Sequence, residues 1–289
     1  MTIGISIPVH EKQDVVINQI QNIKKYVPNS VVVIHLDDNF KECDKLIKYA
    51  DSEGYLFINP HRLSCEWGNI IDAHISNFIY LRDCVEFDYI MFHASNDMYI
   101  LPGVEDYVKN YDAGFHIHPI YKVSRWWPSA YALEDPVLKE ILKLIGAEYP
   151  VATQIESSFY KKELFSKIVS IIEKARKHVV QNDQKYKKKY TREEVYFSTI
   201  AYKLLSNSKI GYPTTYSEVH DFDRKLWKMQ HFTWGIYHRL GLQKIIPKTI
   251  YDEFEKSYSR VISNNKSVSL TIKKIQRIIT NQATFLKKT

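Results

Sequence analysis

Histidine and aspartate gather at three places where a β-branched run gives out: Val9-His10-Glu11, His35-Leu36-Asp37-Asp38 and His93-Ala94-Ser95-Asn96-Asp97. Such side chains can hydrogen-bond a base and a ribose, and in an open α/β sheet ligands bind at the carboxyl ends of the strands. The plainer alternative is that they cap strand ends. There is no GxGxxG and no GxxxxGK(S/T), so the dinucleotide and P-loop readings lose their usual support. Two more carboxylates stand in Thr191-Arg192-Glu193-Glu194-Val195, at the predicted start of a helix. Consecutive helical side chains point about 100° apart, so these two should not face one pocket equally. Acids in a first turn also simply complement a helix N-terminus. Glu218-Val219-His220-Asp221-Phe222-Asp223 sets a histidine among carboxylates, either a metal site completed by Asp97 or an ordinary polar loop. Cys43, Cys65 and Cys84 lack CxxC spacing, which argues against zinc and a disulfide framework and fits a reducing compartment.

The elements that must position these groups follow from hydrophobic period. Ile3–Val9 reads as a buried strand, and Val16, Ile20, Ile23 and Val27 recur at helical spacing until Pro28-Asn29. Val31–Leu36 is a second strand, Cys43, Leu46, Ile47 and Ala50 mark a helix, and Tyr55–Ile58 is a short strand. Ile71, His74, Ile75, Phe78 and Leu81 predict a longer helix, and Asp88–His93 the next strand. Strands alternating with helices imply right-handed βαβ units and a mostly parallel sheet. Beyond Pro102, Ala113–His118 is a candidate strand and Ser124–Pro128 an aromatic loop. Helices are expected over 136–145, 162–176 and 192–205, a solvated lysine-rich loop or frayed helix end over 181–189, and two further helices after Pro247.

Five segments in order resemble one family. Ile3–His10, Val33-Ile34-His35-Leu36-Asp37, Trp67-Gly68-Asn69 opening a helix, Asp88–Asp97 and Thr191–Ile200 are similar to motifs of the core-2/I-branching β-1,6-N-acetylglucosaminyltransferases, glycosyltransferase family 14, in a short bacterial-type form. The resemblance covers roughly residues 3–102 and 155–202. It implies a GT-A type, Rossmann-like α/β fold, a mostly parallel sheet flanked by helices. It also implies inverting transfer of a sugar, N-acetylglucosamine in the family, from a UDP-sugar donor to a hydroxyl of a glycan or lipid-linked glycan acceptor. Glu194 takes the place of the family's general base. One carboxylate suffices, because the departing diphosphate needs no proton. On the donor side the resemblance puts His10 and Asp37 against base and ribose, with Trp67 and Gly68 beside them.

Asp97 falls where other GT-A enzymes carry the last Asp of a DxD motif, but here the triplet is Ser95-Asn96-Asp97. A hard cation is held by carboxylate oxygens, so no metal cofactor is expected, with Mn²⁺ or Mg²⁺ the less favoured alternative. Fixed cations must then meet the diphosphate, and arginine suits it by its fork. Arg224 and Arg239 are candidates, alongside Lys225, Lys228 and Lys244. For the acceptor, Trp126 and Trp127 offer flat faces or else pack their loop onto the core, and Glu156 lies where the family meets its acceptor. The alternatives are a metal-dependent GT-A transferase with another nucleotide-sugar, and a non-catalytic sugar-nucleotide- or glycan-binding homologue.

Charge sets the partner classes. The 289 residues include 40 basic and 33 acidic ones, a net +7, which suits an anionic partner. No helix-turn-helix, RRM or zinc-finger signature accompanies it, so nucleic acid is not expected. No stretch approaches the ~20 apolar residues of a membrane span, and the expected location is cytoplasmic. Residues 1–245 are read as the GT-A domain and 246–289 as a basic helical extension. In that tail Leu270, Ile275, Ile278, Ile279 and Phe285 interleave with Lys and Arg. It reads as an interfacial helix on an anionic membrane or as a segment packed on the catalytic domain.

Overall fold

The computed structural model describes residues 1–10, 12–40, 43–95, 99, 103–123, 128–181, 186 and 188–214. Expectations that fall on Asp97, Trp126, Trp127, Arg224, Arg239, the 218–223 segment and the 246–289 extension lie outside them.

The first half alternates as predicted: β1 (Ile3–Val9), α1 (Gln13–Tyr26), β2 (Ser30–Leu36), α2 (Asp44–Ser52), β3 (Leu56–Ile58), α3 (Ile70–Cys84) and β4 (Tyr89–Phe92). All seven residues of β1 are buried, the near-continuous apolar run of a strand covered on both faces. The four strands pair in parallel in the order β3-β2-β1-β4. Alternate side chains enter opposite layers. Val32, Ile34 and Met91 pack with Val16, Ile20 and Leu46 on one face, while Val33, Ile90 and Phe92 pack with Phe78, Phe165 and Phe197 on the other.

The second half is built from shorter pieces: α4 (Val104–Val108), β5 (Ala113–Gly114), β6 (His118–Pro119), α5 (Pro128–Glu134), α6 (Pro136–Ile145), β7 (Val151–Ala152), β8 (Phe159–Lys161), α7 (Lys162–Gln181), α8 (Glu193–Leu204) and β9 (Ile210–Gly211). The main sheet continues from β4 through β8, β5 and β9, with β8 antiparallel to both its neighbours, giving seven strands that are mostly parallel. The expected strand over 113–118 is two separate strands: β5 joins this sheet and β6 pairs with β7 in a second one. Gly114 marks the division, since a Cβ there would stand 2.0 Å from the Phe159 ring of β8. Only a residue without a side chain lets that ring lie across β5.

Gln181, Lys188 and Lys189 are exposed, as expected of a solvated 181–189 segment, and the segment also carries specific contacts. Among its described residues, Tyr186 donates to the Tyr131 carbonyl at 2.6 Å, Lys188 reaches Glu134 at 2.9 Å and Lys189 reaches Glu66 at 2.7 Å. Tyr190, just beyond, is fully buried. Glu156 and Ser157 precede a strand, β8, which runs directly into α7. Among the described residues no helix is long and apolar enough to cross a membrane.

Candidate active site

Helix α8 places the two glutamates. Its residues 193–201 are all buried, so this is a core helix with little amphipathic contrast. Phe197 is held in an aromatic triad with Phe165 of α7 at 4.9 Å and Phe92 of β4 at 5.4 Å, which fixes α8 over the sheet. Ser198 and Thr199 serve the neighbouring strand. Ser198 Oγ donates to the Val151 carbonyl at 2.6 Å, and the Val151 N–H donates to Thr199 Oγ1 at 2.9 Å. The Thr153 N–H then donates to the Glu194 carbonyl at 2.8 Å. These bonds set the loop 153–158 against the first turn of α8.

Both glutamates are buried, Glu193 at 1% exposure and Glu194 at 4%. Thr191 Oγ1 donates to Glu194 Oε2 at 2.8 Å. Burial pushes the Glu193 carboxyl up to about 8, and the charges of Glu194 and Glu156 add to the shift. Glu193 is thus largely protonated at neutral pH.

Arg192 joins this turn to a distant motif. Its Nη1 donates to the Gly68 carbonyl at 3.0 Å, its Nη2 to the Lys188 carbonyl at 2.9 Å, and its Nε to Asp135 Oδ2 at 3.2 Å. Asp135 Oδ2 also accepts from Tyr190 and Tyr196 at 2.8 and 2.7 Å, while Oδ1 caps α6 through the Val137 N–H. Gly68 has φ +88°, and a Cβ on it would meet Lys189 Cβ at 2.8 Å. Glycine is required there by backbone angle and by close approach. Sequence reasoning singled out Gly68 for the donor; its visible work is to let the 188–190 segment pass. Trp67 beside it is 44% exposed.

The strand ends supply the rest. Asp37 Oδ2 accepts from the Cys65 N–H at 2.6 Å and Oδ1 from the Asn39 N–H at 2.9 Å. Burial opposes its charge, but these backbone donors outweigh it and hold the carboxyl below its ordinary value. Cys65 and Trp67 therefore lie on one turn tied to β2 at one end and to α8 at the other. His10 is exposed, and its Nδ1 lies 3.4 Å from Ser95 Oγ past the end of β4. His93 is buried, its Nε2 2.6 Å from the Tyr99 hydroxyl and 3.2 Å from Ser157 Oγ. Ser157, at φ 54°, is the non-glycine residue with positive φ among the described residues. Its loop also carries Glu156, half-buried.

Below the edge runs a network that motif reading missed. Ser6 Oγ lies 2.9 Å from His74 Nδ1, Asn77 donates to Ser6 at 3.0 Å, and Asn59 donates to Asn77 at 3.0 Å. His35 Nε2 accepts from the Leu63 N–H at 2.8 Å, and burial lowers its pKa and keeps it neutral. His35 therefore braces the loop that leads to the Cys65–Gly68 turn. The signal available in sequence was polar residues at apolar positions: Ser6 inside β1 and Asn77 on the inner face of α3.

Two chains of contacts thus lead to the strand ends: Asp37 at the end of β2 through the Cys65–Gly68 turn and Arg192 to α8, and Phe92 at the end of β4 through the loop of Glu156 and Ser157 to the Glu194 carbonyl, with His10 against Ser95 beside them. Among the described residues no group of three or more His, Cys, Asp or Glu is arranged to hold a metal ion. Asp97 and His220, on which the metal alternative depends, are outside them. A groove of about 480 Å³ runs along α3, lined by His61, Leu63, Ser76 and Tyr80 among others, and shares no residue with this set.

No family model and no curated protein matches the sequence. Among solved structures, S. aureus TarS 1–349 is similar at a TM-score of 0.40 and 11% identity, over 73% of this chain and 58% of that one. This chain thus spans less than two thirds of that structure's length. A likeness at that score carries no argument about activity.

Proposed function

We propose that this protein is a glycosyltransferase that moves a sugar from a nucleotide-sugar donor to a hydroxyl of a glycan acceptor, with inversion and with Glu194 as general base. The observation that carries the reading is the Arg192 link. It draws the Trp67-Gly68 turn and the Glu193-Glu194 turn, 124 residues apart in sequence, to one strand-end edge. In the reaction the acceptor oxygen bonds to the anomeric carbon as the carbon–oxygen bond to the diphosphate breaks. The hydroxyl proton passes to Glu194, and the diphosphate leaves with the bonding electrons. The exposed Trp67 and His10 are assigned to the donor base and ribose side, with Asp37 holding the turn between them. The family-14 resemblance supports UDP and N-acetylglucosamine as donor parts and a metal-free route, and the need for fixed cations at the diphosphate makes Arg224 and Arg239 candidates for it.

A thermal-shift screen against UDP-, GDP- and CMP-sugars tests the donor class, since a ligand at 100 times its Kd adds about 2.7 kcal/mol of stability. Glu194→Gln should lower turnover by about 10²–10⁴-fold while leaving the donor-induced shift in place. Wild-type turnover in that variant discards Glu194 as base. A screen in which no nucleotide-sugar raises Tm removes the transferase reading, and loss of turnover in EDTA restored by Mn²⁺ removes the metal-free route.

A further inference from the structure

Gln154 is a polar side chain without visible employment. It is 1% exposed, and among the described residues neither its Nε2 nor its Oε1 has a hydrogen-bond partner. Each buried polar group left unsatisfied costs about 1–3 kcal/mol, and such groups are rare enough in native folds to call for a reason. Its place in the fold is specific. The residue before it is bonded through its N–H to the Glu194 carbonyl, and its own carbonyl accepts from Thr153 Oγ1 at 3.1 Å. The residue flanking the other end of that backbone bond is in the same condition: Glu193 Oε2 is buried with no partner among the described residues. Glu156, two residues further along the loop, interacts with Glu193 by charge and is only partly buried, so the cluster reaches the surface there.

We propose that Gln154 and Glu193 form a hydroxyl-reading subsite that holds the acceptor sugar beside Glu194. This rests on the transferase reading above and deepens it. The choice of ligand follows from the groups present. An amide offers a donor and an acceptor, and a protonated carboxyl offers the same pair. Sugar hydroxyls donate and accept in equal measure, so adjacent hydroxyls satisfy both. An anion is disfavoured by the charges of Glu156 and Glu194. A divalent cation gains nothing from an amide N–H and finds no three-ligand group among the described residues. The rival occupant is a buried water, which needs two to four polar partners and would serve structure alone.

Gln154→Met separates these. It conserves volume, a change that cores tolerate well, and deletes the amide. Saturation-transfer NMR with methyl β-galactoside and N-acetylglucosamine reads sugar binding, UDP reads the donor site, and thermal melting reads stability. Expected is a variant that melts at or above the wild-type temperature, retains the UDP signal, and loses at least fivefold of the monosaccharide signal. A residue that serves only packing or a structural water would behave oppositely. A lower melting temperature, or a monosaccharide signal kept at the wild-type level, overturns the proposal. Wild-type protein that binds UDP but neither monosaccharide overturns it and leaves the transferase reading standing. Protein that binds neither UDP nor sugar removes both.

Discussion

Asp135→Ala tests whether α8 is held where the structure puts it. The Asp135 carboxylate is 1% exposed, and four groups converge on it: the hydroxyls of Tyr190 and Tyr196, Nε of Arg192, and the Val137 N–H. Removing one partner of a buried charged pair costs about 3–5 kcal/mol. Arg192 is 17% exposed, so water returns some of that. Two stranded tyrosine hydroxyls add about 1–3 kcal/mol each, and loss of the α6 cap about 1. Groups in one network do not add independently, and about 4 kcal/mol is the expected total. Against a typical total stability of 5–15 kcal/mol, that is a large loss. Asp135→Asn keeps the shape and two acceptor lone pairs but not the charge, and should cost about half as much. Tyr190→Phe and Tyr196→Phe should each cost about 1 kcal/mol. Urea denaturation with an unchanged m-value gives these differences directly. An Asp135→Ala protein within about 1 kcal/mol of wild type would refute the network, as would Asp135→Asn losing as much as Asp135→Ala.

Three further outcomes follow from the same geometry. Glu193 titrates near 8 in the fold against 4.5 when free, so between those values the folded state binds the extra proton and stability falls as pH rises. The slope approaches about 1.4 kcal/mol per pH unit, and Glu193→Gln should flatten it in pH-dependent urea melts; an unaltered slope contradicts the burial of Glu193. His74 behaves oppositely, since burial first and the nearby His35 and His93 next lower its pKa to about 3 from 6.5. Its contribution is whole above pH 6.5 and drains away as pH falls toward 3, so His74→Gln should lessen acid destabilisation across that window. Gly68→Ala must place a Cβ at φ +88° against Lys189 and should cost about 2 kcal/mol, together with activity; a neutral substitution would mean that the 65–69 turn is not pinned to the 188–192 segment.

Legibility followed the length over which a signal is written. β1 is seven apolar or small residues, and its expected bounds, Ile3–Val9, are the observed ones. α1, α3 and α6 are legible by apolar period, and in the structure α6 is bounded by the Asp135 cap with Pro136 and by Gly146. The parallel half of the sheet and its polar strand ends were therefore open to reading. β5, β6, β7 and β9 are two residues each, too short for a period, and they are strands only because a partner is present. Glu193 and Glu194 read equally well as helix-end acids. Nothing local says that one is buried to near neutrality or that Arg192 reaches back to Gly68.

The residues themselves, with their order and period, thus determined an α/β chain with polar groups at the ends of parallel strands, because alternation and helical spacing are local properties of the sequence. Which of those groups meet, which carboxyl holds its proton, and why Gln154 lies buried without a partner among the described residues were decided only by tertiary packing. Burial, charge proximity and hydrogen-bond satisfaction are properties of neighbours in space, and here the deciding neighbours are scores of residues apart.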